Sequence, residues 1–168
     1  GMPNAQNIPV STRHGNIYYH LGLAYYLTGD FENAKVAYQA CLQSSSNYDN
    51  LVSSTHWLYM IYRRLGDQVN AEKVLEPIDP KLEIIENMAY HELCLFYKGL
   101  LSEKELLPKE AGSGSDAKLY GLANWYYYNG NEEKALKQWQ EIYDRNSWNS
   151  FGYIAAEAEL YRNANNNE

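Results

Sequence analysis

Between Tyr18 and Leu42 the chain reads YYHLGLAYYLTGDFENAKVAYQACL. Apolar residues recur three and four positions apart on both sides of Thr28-Gly29-Asp30, which interrupts the period. The pattern predicts two amphipathic helices joined by a tight turn. Gly29 supplies the positive φ that a residue with a Cβ resists. Asp30 is placed to cap the second helix, its carboxylate accepting from the free N–H groups of the first turn.

The same alternation returns further along. Thr55 to Ile78 carries Leu58, Tyr62, Gly66-Asp67, Ala71, Leu75 and Ile78 at matching positions, with Tyr59 where the first copy has Gly22 and Pro77 set to end its second helix early. Leu119 to Ile142 repeats it as Leu122, Ala123, Tyr126, Gly130-Asn131, Ala135, Trp139 and Ile142. A weaker copy lies between. Asp79-Pro80 reads as a helix start, Tyr90, Leu93, Cys94 and Tyr97 match a first helix, and Ser102 with Glu105 has capping-box spacing. The run PKEAGSGSD from Pro108 then predicts a flexible connection. Phe151, Ile154, Ala155 and Ala158 predict a lone terminal helix covering the last pair. The expected organisation is a flexible segment at 1–14 and a repeat domain over 15–161, followed by a disordered tail at 162–168. Within the domain the helix pairs fall near 15–48, 52–78, 80–107 and 116–146, with a cap at 149–161.

These residues resemble the tetratricopeptide repeat, whose period is about 34 residues. Tyr18 stands at the large aromatic position of helix A, followed by Leu21, Gly22 and Tyr25. Ala34, Tyr38 and Cys41 hold the helix B positions that take Ala, an aromatic and Ala. Ser46 replaces the family's closing Pro. The second half is also similar to bacterial helical-repeat proteins with no assigned activity. The resemblance implies an all-α, right-handed superhelical array of helix-turn-helix repeats, with a concave groove lined by A helices that receives a protein or peptide segment. Carried over position by position, that groove takes Tyr19, His20 and Tyr26 from the first copy and His56, Trp57 and Arg63 from the second. His91 and Glu92 come from the third, and Tyr120, Asn124 and Tyr127 from the fourth. The carboxylate clamp of Lys, Asn and Arg known in part of the family is missing, since Tyr19, Leu23, His56 and Met60 stand there.

Composition narrows the function without naming it. With 168 residues, 45% hydrophobic and 21% charged, the chain is a folded and not a disordered one. A net charge of −7 argues against nucleic acid and anionic membrane surfaces as partners. No apolar run approaches the roughly 20 residues of a membrane span, so insertion is not expected. Gly1 to Val10 lacks the charged start and apolar core of a signal peptide, and Gly1 before Met2 reads as a remnant of tag cleavage. A cytoplasmic location is the expectation.

The 17 Tyr and 4 Trp suit either helix packing or a wet binding surface. Both roles stay open for the groove aromatics. Arg63-Arg64 could grip an acidic ligand or complement a helix C-terminus. His56, His91 and Glu92 raise a metal or acid–base site as an alternative, but no HExxH, CxxC or paired-carboxylate spacing supports it. Cys41 and Cys94 occupy slots for small buried residues. The reading is therefore a non-catalytic binding scaffold without cofactor or metal, self-association being a second alternative.

Overall fold

The computed structural model describes residues 2–5, 7–107 and 113–166. It is all-α apart from a two-stranded antiparallel ribbon of β1 (Met2–Pro3) and β2 (Pro9–Ser11). The chain divides into two compact units, Gly1–Leu100 and Leu101–Glu168.

Unit 1 holds the ribbon and five helices: α1 (Arg13–Leu27), α2 (Phe31–Gln43), α3 (Tyr48–Arg64), α4 (Gln68–Val74) and α5 (Met88–Tyr97). Consecutive helices pack on one another through α4, and α5 packs on α3. The turn Thr28-Gly29-Asp30 forms as its chemistry dictates. Gly29 has φ 82°. Its N–H donates to the Tyr26 carbonyl at 3.0 Å, and the Asp30 N–H to that of Tyr25 at 2.9 Å. This pair of bonds satisfies the last carbonyls of α1. Asp30 then caps α2 by accepting from the Asn33 N–H at 3.1 Å. Gly66 and Asp67 repeat the device between α3 and α4.

Helix α1 lies close on α2 because Gly22 has no side chain. A Cβ there would fall 2.6 Å from the Tyr38 ring. Ala34 and Ala71 are fully buried at equivalent places on α2 and α4. The core of unit 1 centres on Tyr26, Tyr38, Trp57, Leu58 and Met60.

Unit 2 contains α6 (Glu103–Leu106), α7 (Ser113–Tyr128), α8 (Glu132–Tyr143) and α9 (Phe151–Asn166). Gly130 and Asn131 reproduce the glycine turn and cap between α7 and α8. Helix α9 packs on both. Its Gly152 lies against the α7 backbone, where a Cβ would come within 2.5 Å of the Asp116 carbonyl.

Several expectations change. Residues 1–14 include the ribbon, tied down where the Asn47 side chain donates to the Val10 carbonyl at 2.7 Å. The third A helix begins at Met88, not at Pro80. The amides of Ile85, Glu86 and Asn87 donate to the buried Asp49 carboxylate at 3.0, 2.8 and 2.8 Å. A helix running from Pro80 would have needed them for its own carbonyls. The third pair, expected over 80–107, is divided by the unit boundary. Of the expected loop PKEAGSGSD, residues 108–112 lie outside the described residues and the remainder begins α7. Helix α9 continues through Asn166, into the tail expected to be disordered.

Candidate functional site

The A helices of unit 1 are joined by a ladder of aromatic rings. On α3, His56 and Trp57 are each 1% exposed. Trp57 stacks on Tyr38 of α2 at 5.8 Å and meets Tyr26 of α1 edge-on at 5.1 Å. Its indole N–H donates to the Tyr19 hydroxyl at 2.9 Å, which in turn donates to the Tyr90 hydroxyl at 3.2 Å. A single hydroxyl chain thus crosses from α3 through α1 to α5. His56 lies against Tyr90 at 4.8 Å and Tyr97 at 5.9 Å, and its Nδ1 is 3.3 Å from the Tyr97 hydroxyl. Tyr97 stacks on Tyr59 at 4.2 Å, and the Arg63 guanidinium lies over the Tyr59 ring while donating to its hydroxyl at 3.2 Å.

Burial sets the protonation of this ladder. It pushes His56 down to about 3, so the imidazole is neutral near pH 7. Burial also raises the phenols of Tyr19, Tyr38 and Tyr90, which stay protonated. The arrangement offers hydroxyls, π-faces and one guanidinium.

The predicted groove residues separate into two groups. Tyr26, His56, Trp57, His91, Tyr120 and Asn124 are enclosed, a correction to their expected place on an open surface. His91 donates from Nε2 to the Asp79 carbonyl at 3.0 Å. Tyr120 donates to Glu159 of α9 at 3.0 Å, and the Asn124 side chain donates to the Tyr120 hydroxyl at 3.4 Å. Glu159 is itself paired with Arg162 at 2.8 Å. The cap helix therefore covers Tyr120 and Asn124, and Tyr127 is turned against Trp139 of α8 at 5.4 Å. His20 is exposed on α1, with its Nδ1 donating to the Asn16 carbonyl at 2.8 Å, while Tyr19, Arg63 and Glu92 are half-buried.

His56, His91 and Glu92 do not form a ligand set. Among the described residues no three His, Cys, Asp or Glu side chains lie close enough to hold a metal ion. Cys41 and Cys94 are buried, and burial raises both thiols. Among the described residues no helix is long and apolar enough to cross a membrane.

The ladder's open rim includes two residues that reading for the groove missed. Tyr90 and Tyr97 are half-buried and seven positions apart, hence on one face of α5. They were assigned to repeat packing, and their spacing was the available signal.

A chain of all-α helix pairs turned on glycine, with an aromatic A-helix face, belongs among the helical-repeat proteins. The tetratricopeptide repeat family profile matches residues 15–48, from Gly15 of α1 through the glycine turn and α2 to Tyr48, so this helix pair is similar to a tetratricopeptide repeat. Such repeats generally mediate protein–protein interaction. Comparisons with curated proteins and with solved structures gave no match.

Proposed function

We propose that the chain is a non-catalytic scaffold that binds a peptide segment of a protein partner across the A-helix face of unit 1. The observation that carries this reading is the half-open rim of Tyr19, Tyr90, Tyr97 and Arg63 with exposed His20, above a floor of buried His56 and Trp57. The floor is already ordered, so little side-chain entropy is lost when a ligand settles on it. Aromatic rings and an arginine are the side chains that most often carry binding energy at protein interfaces. A partner segment with apolar or aromatic side chains and an acidic group complements them.

The test uses the rim, because truncating Trp57 would open the core. A partner captured from the source organism's lysate is titrated against wild type and the double variant His20→Ala, Arg63→Ala. The expected outcome is a loss of tenfold or more in affinity with an unchanged melting temperature, one tenfold step being about 1.4 kcal/mol. Equal affinity for the two proteins overturns the A-face assignment.

A specific observation favours self-association as a second reading. Ile17 and Leu21 stand one turn apart on the outward side of α1 and are 56% and 42% exposed. Ile17→Lys would then reduce a concentration-dependent sedimentation coefficient to that of a monomer.

A further inference from the structure

We propose a second recognition site in unit 1: the cleft between the end of α2, the first turn of α3 and the strap of residues 79–87 takes an apolar side chain of a partner peptide followed by Lys or Arg. The cleft has a volume of about 670 Å³, within the range of pockets that hold small ligands or side chains. The apolar part of its lining is Leu42 from α2, Leu51 from α3, and Ile84 and Ile85 from the strap. Ile85 remains 46% exposed and Tyr48, at the mouth, 50%. An apolar side chain entering here removes both from water.

The polar groups around these walls set the sign of the partner. Asp49 is in the lining, but its carboxylate is occupied by the amides of Ile85, Glu86 and Asn87. It holds the strap in place and offers the ligand no free charge. Glu83 is exposed, with no hydrogen-bond or ion-pair partner among the described residues. The Ser46 and Tyr48 hydroxyls likewise have none among the described residues. One open carboxylate and two hydroxyls beside an apolar slot fit a cationic side chain next to an apolar one. A partner with an acid in that position would meet Glu83 directly. This site shares no residue with the A-helix rim and stands or falls separately from it.

The test is a titration of the whole ¹⁵N-labelled chain with acetyl-Leu-Lys-amide and, in parallel, acetyl-Leu-Glu-amide. The expected result is saturable shifts at amides 42–51 and 83–85, with the Lys peptide binding about two- to fivefold more tightly, the range of an exposed ion pair. Glu83→Gln should remove the preference and Glu83→Lys should reverse it, while Ile84→Ser weakens both peptides. Glu83 is exposed, so both variants keep the fold, and their spectra report it directly. No saturation at millimolar peptide, equal binding of the two peptides, or shifts at Tyr19, Tyr90 and Tyr97 in place of the cleft would each overturn the site.

Discussion

His56 shows what burial does to one ionisable group. Its imidazole is held near 3 against an ordinary value of 6.5. Above pH 6.5 it is neutral whether the chain is folded or not, and stability does not depend on it. Below 6.5 the unfolded chain takes up a proton that the folded one refuses. Stability therefore falls by about 1.4 kcal/mol per pH unit until the pH nears 3. Urea unfolding at pH 7 and pH 5 should show a loss of about 2 kcal/mol from this residue, absent in His56→Gln. Gly22 is the second residue to test. Its missing Cβ lets the Tyr38 ring lie against α1, so Gly22→Ala should lower stability by about 1–3 kcal/mol. A clear fall in melting temperature would check this. The sequence distinguishes these two cases poorly. Gly22 was legible as a family position, whereas an aromatic or His on an A helix looks alike whether it lines a groove or fills a core. Only the neighbours Tyr90, Tyr97 and Tyr38 decide it.

The elements were legible wherever local chemistry specifies them. Gly29-Asp30, Gly66-Asp67 and Gly130-Asn131 each combine positive φ with a side-chain cap three residues from its target, all within one turn of chain. Gly99 closes α5 in the same way, although the next cap, Ser102, is delayed. The start of α5 was not legible, because its cause is remote. Asp49 holds amides 36 to 38 residues away, and no local period announces that. Asp49→Ala should break three partly buried hydrogen bonds to the strap amides, costing about 2 kcal/mol or more. Hydrogen exchange checks it: the amides of Ile85, Glu86 and Asn87 should exchange about thirtyfold faster, with those of α2 little changed.

For the molecule as a whole, tryptophan emission reports on both units. Trp57 in unit 1 and Trp139 in unit 2 are each 1% exposed, while Trp148 is 76% exposed. Trp125 is half-buried, so acrylamide should quench Trp148 most readily, and Trp148→Phe should remove that most accessible component. The paired helices were readable from the period, and the repeat class from the family resemblance of the residues that carry it. The division between units at Leu100 and Leu101 was not, because it cuts through a pair that the period treats as one. The close approach at Gly22 also bears on how such a chain could be rebuilt. The first pair sets its helix spacing by leaving out a side chain. The second puts Tyr59 at the same station and sends its ring to Tyr97 of α5. The pairs share an outline and differ in their joints, so they are not interchangeable bricks. Duplicating one or exchanging two would bring a ring where a hydrogen stood, and a new array would need each seam recut.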